Sequence, residues 1–344
     1  MKKVFYLIVV CLLAVLIVPS YAASTEFSEK YEAGEAELSG GANLNVGNVN
    51  SLDGDHVDAE AAFRVEVPES GIYGLRVYYS TPAPAATLSV FVDDAAEKSA
   101  VVRFAPHFKS WEAYEDDQFA SAAISLNAGE NVIRLRRTAE DSDYVAVGAI
   151  LVENTYNAYL YGKNAELSGG SNLNGDNVNS LDGDHIGAAA SWKTYIPISG
   201  KYTVRVYYFT SIDVASLSLT IDQAQKTKVV FDHAASGGNW GQLSYDCFSE
   251  FTLDLQEGEH TICLTRSAED EGFVAVGAVS FSASFEVQKD PEPVPDPKPD
   301  PEPVPNPPEP QPETGSEQLL LPAVCGMLCL CCLRISGKKT KIKL

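Results

Sequence analysis

The chain has 344 residues, with 47 Asp+Glu against 25 Lys+Arg and a formal net charge of −22. Such an acid excess repels phosphate and excludes nucleic acid as a charge-driven partner. Its five histidines and seven cysteines show no zinc-type spacing, and no Gly-x-Ser-x-Gly or His-Glu-x-x-His signature occurs.

Lys2 and Lys3 precede an apolar run from Val4 to Val18, followed by Pro19-Ser20-Tyr21-Ala22. A basic start, a short apolar core and small residues before a cleavage point predict a secretory signal peptide over 1–22. The run is short for a membrane span of ~20 residues.

Beyond it the chain repeats itself. NLNVGNVNSLDGDH begins at Asn43 and NLNGDNVNSLDGDH at Asn172, an offset of 129 that also relates Trp111 to Trp240 and Arg137 to Arg266. A constant offset predicts two domains of equal length, 27–154 and 157–285, each of ordinary size for one core.

Within a copy the hydrophobic period is two. Phe63-Arg64-Val65-Glu66-Val67 alternates, Pro68-Glu69-Ser70-Gly71 turns, and Ile72 to Tyr79 alternates again. Leu88 to Val92 and the pair Ala123–Leu126 and Val132–Leu135 continue the pattern. Short alternating strands without helical periodicity predict an all-β chain of two tandem antiparallel β-sandwiches, of jelly-roll type among the sandwich alternatives. In the second copy Ile262 and Leu264 face inward and turn Cys263 outward, whereas Cys247 shares the parity of inward Leu253 and Leu255. That pattern does not indicate a disulfide.

From Pro291 to Pro312, 12 of 22 residues are proline. Such a tract forms neither ladder nor core and extends as polyproline II at ~3.1 Å per residue, so 287–312 reads as a stiff linker of roughly 70 Å. Gln311-Pro312-Glu313-Thr314-Gly315, the apolar stretch Leu319–Leu333 and a lysine-rich end follow. That order over 311–344 resembles a Gram-positive cell-wall sorting signal, with Gln311 where leucine is usual. The resemblance implies cleavage by sortase between Thr314 and Gly315 and attachment to peptidoglycan, with membrane contact only transient through the tail. An ordinary membrane tail acylated at Cys325, Cys329, Cys331 and Cys332 is the other reading. Removal of both ends leaves 18 Lys+Arg and 46 Asp+Glu.

Tyr31-Glu32-Ala33-Gly34-Glu35-Ala36-Glu37-Leu38-Ser39-Gly40-Gly41, the strand-turn-strand around Val67-Pro68, Ser110-Trp111-Glu112-Ala113-Tyr114 and Leu126 to Leu135 are similar, in this order, to carbohydrate-binding modules of families six and thirty-five. The resemblance covers about 31–152 and, more weakly at its start, 161–282. It implies a galactose-binding-like jelly roll that binds sugar. It also implies a structural calcium ion, held by acidic residues of the first strand and an aspartate of the last. Here those positions include Gly34 and Lys163, and Gly148 and Gly277, so the resemblance leads us to expect that calcium site to be lost. Ala146 and Ala275 stand where the family has a sugar-binding asparagine.

Three readings stay open for the repeated strip. Asn50, Asp53 and Asp55, with Asn179, Asp182 and Asp184, can cap tight turns, bond sugar hydroxyls, or place Asp53/Asp55 and Asp182/Asp184 around calcium, the one candidate cofactor. His56 and His185 are expected to make loop hydrogen bonds. Trp111 and Trp240 serve either as stacking platforms for sugar C–H faces or as core residues. Tyr114 joins the ligand candidates, although Leu243 replaces it in the second copy. Tyr144 and Phe273 are expected to fill the core beside the last strand.

No paired catalytic signature stands out, so the chain is expected not to be an enzyme. The combined expectation is a non-catalytic protein that binds glycan or polysaccharide, secreted and anchored to a Gram-positive cell wall. The alternative is a structural or adhesive surface protein whose jelly rolls bind protein or act as spacers.

Overall fold

The computed structural model describes residues 27–285, apart from 235–238. The signal peptide 1–22, the sortase-processing pair Thr314 and Gly315, and the segments 287–312 and 311–344 lie outside the described residues.

The first half forms β1 (Ser28–Glu32), β2 (Glu37–Ser39), β3 (Asn43–Asn45), β4 (Asn48–Leu52), β5 (Glu60–Val67), β6 (Gly71–Ser80), β7 (Ala86–Val92), β8 (Ala100–Phe104), β9 (Phe119–Leu126), β10 (Gly129–Arg136) and β11 (Val145–Glu153). The second half runs from β12 (Thr155–Tyr161) through β13 (Glu166–Ser168), β14 (Asn172–Asn174), β15 (Asn177–Leu181) and β16 (Ala189–Ile196). It ends with β17 (Gly200–Phe209), β18 (Ala215–Ile221), β19 (Gln225–Phe231), β20 (Phe248–Leu255), β21 (Gly258–Thr265) and β22 (Val274–Ser284). The described chain is all-β, as the alternating pattern predicts.

Two sheets face each other in each half. One has the order β3-β4-β11-β6-β9, with β1 also on β11, and the other β2-β5-β10-β7-β8. The second half repeats both orders strand for strand, as β14-β15-β22-β17-β20 with β12 on β22, and β13-β16-β21-β18-β19. Alternation explains the layering: Phe63, Val65 and Val67 of β5 are buried while Arg64 and Glu66 between them point to solvent. Each fully buried Val, Leu or Phe side chain contributes roughly 1.5–3 kcal/mol. The two halves keep separate cores, one around Tyr73, Leu75 and Ile133, the other around Tyr202, Leu219 and Phe281. Cys247 is buried, Cys263 half-buried, and both are free.

Two features position the candidate site. The long connections 53–59, 81–85, 105–118 and 137–144 all cross between sheets at one end, tied together by Asp58 N to Arg137 O (2.7 Å) and by paired bonds between Thr81 and His107. At the same end the last strand is bulged. Val147 pairs with Tyr79 and Ala149 with Tyr78, which leaves Gly148 unmatched, and Gly277 is left the same way between Val276 and Ala278.

The halves also touch. Tyr159 of β12 packs edge-on against Phe119 of β9, with centroids 5.5 Å apart. Ser121 Oγ donates to Asn157 O, Tyr161 OH donates to Asp117 O, and Arg103 lies 4.2 Å over the Tyr195 ring.

Candidate functional site

The repeated strip acts first as a clamp. Asn50 Nδ2 donates to Trp111 O at 2.9 Å, and Asn179 Nδ2 to Trp240 O at 2.8 Å. Buried Asn177 donates to Asn239 O and Gln242 O at 3.1 Å each, and Asn48 approaches Ser110 O at 3.5 Å. The hairpin tips add Gly47 N to Glu112 O (3.1 Å) and Asp176 N to Gly241 O (3.0 Å). Asn43 and Asn172 donate to Ser51 and Ser180, which hold left-handed backbone at φ 63° and 59°. Apart from the second acceptor of Asn177, each of these bonds recurs in both copies, so the near-identical strip reflects one loop geometry built twice.

The Asp-Gly-Asp segment closes on itself. Asp53 Oδ1 accepts from Asp55 N at 3.0 Å and pairs with His56 Nδ1 at 2.8 Å, and Asp182 does the same with Asp184 N and His185. Burial opposes ionisation of Asp182, but His185 and the Asp184 amide outweigh it and hold the carboxyl below its ordinary pKa. Asp55 and Asp184 point to solvent. Among the described residues, no group of three or more His, Cys, Asp or Glu is placed to hold a metal ion.

The clamped loop presents an aromatic cluster. Trp111 stands between Phe108 (centroids 4.9 Å) and Tyr144 (5.6 Å), with Phe108 47%, Trp111 39% and Tyr144 43% exposed. In the second copy Trp240 stands between Phe209 (4.8 Å) and Phe273 (5.6 Å), and Phe273 is 38% exposed. The expectation that Tyr144 and Phe273 fill the core is therefore wrong. Asp143 and Gly272 take positive φ, 50° and 69°, just before β11 and β22, which breaks strand parity and turns the following ring outward. Thr81 Oγ1 donating to Tyr144 O (2.5 Å) and Thr210 Oγ1 to Phe273 O (2.7 Å) fix that turn. Three neighbouring exposed rings in the first copy offer stacking area for a sugar C–H face, while in the second Trp240 and Phe209 are half-buried and Phe273 alone is exposed. Sequence reading missed Phe108 and Phe209, because the offset sets Phe209 opposite Ser80 and hides their shared role.

Tyr114 is not part of this cluster. Its ring packs on Tyr78 at 5.7 Å, its hydroxyl donates to Glu32 Oε2 at 2.7 Å, and a Cβ on Gly148 would come within 1.9 Å of the ring. In the second copy Leu243 fills the same space, 2.4 Å from a Cβ on Gly277. The calcium ion implied by the resemblance requires six to eight oxygen ligands. At this corner Glu32 is engaged by Tyr114 and by Lys30 Nζ (3.4 Å), and Lys30 also takes Asp116 (2.7 Å). These residues do not fit a divalent cation.

Comparison with known proteins agrees with this fold. Residues 25–155 match the model of the family described as carbohydrate binding module (family 35). A 1,6-alpha-glucosyltransferase of Sporosarcina globispora is 32% identical over 130 residues, which are 36% of this chain and 10% of that protein. The chain thus spans about a tenth of the length of this curated relative. Among solved structures, a native family 35 carbohydrate-binding module from Clostridium thermocellum aligns at 23% identity and a TM-score of 0.29, over 37% of this chain and 97% of that one. A Paenibacillus cycloisomaltooligosaccharide glucanotransferase complexed with cycloisomaltoheptaose aligns at 13% identity and a TM-score of 0.31, over 69% and 46%. The expectation that the chain is not an enzyme is overturned by the glucosyltransferase relative, which puts the matched segment inside a carbohydrate-active enzyme. The absence of a local motif could not decide this, because acidic catalytic pairs have no fixed spacing. Residues 25–155 thus carry the sequence pattern of a family 35 carbohydrate-binding module, and carbohydrate binding is the function that pattern supports.

Proposed function

We propose that the chain is a cell-surface protein whose two sandwiches bind polysaccharide through the Trp111 and Trp240 clusters. The observation that carries this reading is the three-ring cluster in each copy, exposed throughout in the first and at Phe273 in the second, where Trp240 and Phe209 are half-buried, and held at its tryptophan carbonyl by Asn50 or Asn179. Stacking rings on a pre-set loop lose little freedom on binding, and hydroxyl contacts from the strip would supply orientation. Side chains that point outward from a tied loop favour a binding role over a spacer role.

The relative's name directs the choice of substrate to α-1,6-linked glucan, in service of carbohydrate-active chemistry. Secretion, the Pro-rich stalk and sortase attachment at Thr314 complete the proposal. Two weak sites on one chain then gain from effective concentration.

The test is calorimetric titration of the mature chain with isomalto-oligosaccharides and dextran, beside a broad glycan array. Replacing Trp111 and Trp240 with alanine should each weaken binding by roughly two- to tenfold, since a stacked ring is worth about 0.5–1.5 kcal/mol. No binding of any glycan by the parent chain would remove the proposal.

A further inference from the structure

The offset that superimposes the loops also superimposes a second, quite different corner, beside the bulged glycine of the last strand. Position by position, Lys30 becomes Tyr159, Glu32 becomes Tyr161 and Asp116 becomes Tyr245. In the first sandwich the Lys30 ammonium sits 2.7 Å from Asp116 Oδ1 and 3.4 Å from Glu32 Oε1, and lies 4.7 Å and 4.9 Å over the rings of Tyr78 and Tyr114. Two carboxylates and two ring faces thus surround one positive charge. In the second sandwich a tyrosine stands at the lysine position, and the nearest ammonium given for the stack is Lys163 Nζ, 5.7 Å over the Tyr161 ring. Tyr159 stacks on Tyr207 (5.8 Å, 20°) and Tyr161 (6.1 Å, 20°), and meets Tyr245 edge-on at 6.0 Å.

We propose that Lys30 is a built-in cation that closes this corner in the first sandwich, that a tyrosine stack replaces it in the second, and that both sandwiches fold without a divalent cation. The glycines support this reading. A carboxylate at 148 or 277 would have to pass through the space of Tyr114 or Leu243, so the corner holds those side chains in place of a ligand from the last strand. Burial opposes the Lys30 charge, yet Asp116, Tyr114 and Glu32 together raise its pKa above the ordinary lysine value, so the charge persists across the physiological range. The corner also does structural work in the second half, because Tyr159 reaches from this stack to Phe119 of the first sandwich.

The test reads stability and metal binding, so its outcome is separate from that of the glycan reading. Thermal unfolding of the mature chain should shift by less than about 1 °C between millimolar calcium and excess chelator, since a ligand that does not bind the native state cannot stabilise it. Lys30→Met should lower the first sandwich's midpoint by roughly 2–4 °C in both conditions. The combined variant Lys30→Ala, Tyr114→Ala, Gly148→Asp, which reopens the corner, should gain a calcium-dependent rise in midpoint. A parent chain stabilised by several degrees in calcium would overturn the proposal, as would a Lys30→Met variant indistinguishable from the parent. If the combined variant does not fold, the first two measurements decide.

Discussion

The two sandwiches keep identical bonds at one end and exchange nearly everything at the neighbouring corner. The Asn50–Trp111 and Asn179–Trp240 clamps agree within 0.1 Å, and so do the two Asp-His pairs. The corner beside the bulge holds a salt-bridged lysine in one copy and a tyrosine stack in the other. A loop that must present rings at a set angle tolerates little change. A corner that must only be filled accepts any solution that satisfies its polar atoms. Between these extremes lies the third ring of each cluster, supplied by Phe108 from a loop in one copy and by Phe209 from a strand end in the other. The surface is kept while its source changes.

Substitution at the bulge gives the sharpest contrast between copies. Gly148→Ala would drive a methyl to within 1.9 Å of the rigid Tyr114 ring, whereas at Gly277 it meets the tip of Leu243 at 2.4 Å and the clamp amide Asn177 Oδ1 at 2.8 Å. We expect Gly148→Ala to cost roughly 2–3 kcal/mol and Gly277→Ala nearer ~1 kcal/mol. Denaturant melts of the two variants measure the difference, and equal costs would break the comparison.

The shared clamp predicts equality instead. Asn50→Ala and Asn179→Ala each remove one bond to a tryptophan carbonyl, so each should cost about 1 kcal/mol of stability. Each should also increase hydrogen exchange in its own loop, around 110–112 or 239–242. Strongly unequal losses would mean that the two loops are held differently despite matched geometry.

The smallest effect concerns pH and belongs to the first copy with its neighbour. Burial, then the Lys163 ammonium, holds the His107 pKa below its ordinary value. Lys163 Nζ lies 3.3 Å from His107 Nδ1, and Glu115 comes within 2.9 Å of Nε2 without hydrogen-bond alignment. The unfolded chain therefore binds this proton more readily. The contribution of His107 is complete above its unfolded pKa of about 6.5 and falls away as pH drops toward the lower folded value. His107→Gln should flatten that part of the stability profile, as pH-dependent melts would show.

Much of the fold could be read directly. Period-two alternation in β5, β6 and β10 and the unchanging offset of 129 follow from local chemistry, because strand faces and turns are decided by adjacent residues. The strip's bonds to the tryptophan loop were out of reach, since they join residues 61 apart. Tyr144 and Phe273 were misread for a more local reason: a single left-handed residue before each strand reverses the facing that alternation implies.

By itself the sequence determined that the chain is all-β, duplicated and strongly acidic, because side-chain period, repetition and charge are properties of neighbours along a chain. Tertiary structure alone decided which rings face solvent, which amide holds them, and that Lys30 in one copy and Tyr159 in the other close equivalent corners. Those outcomes depend on contacts between residues far apart in sequence, for example Lys30 with Asp116 across 86 positions. Their strength comes from desolvation and packing, which exist only once the sheets have closed.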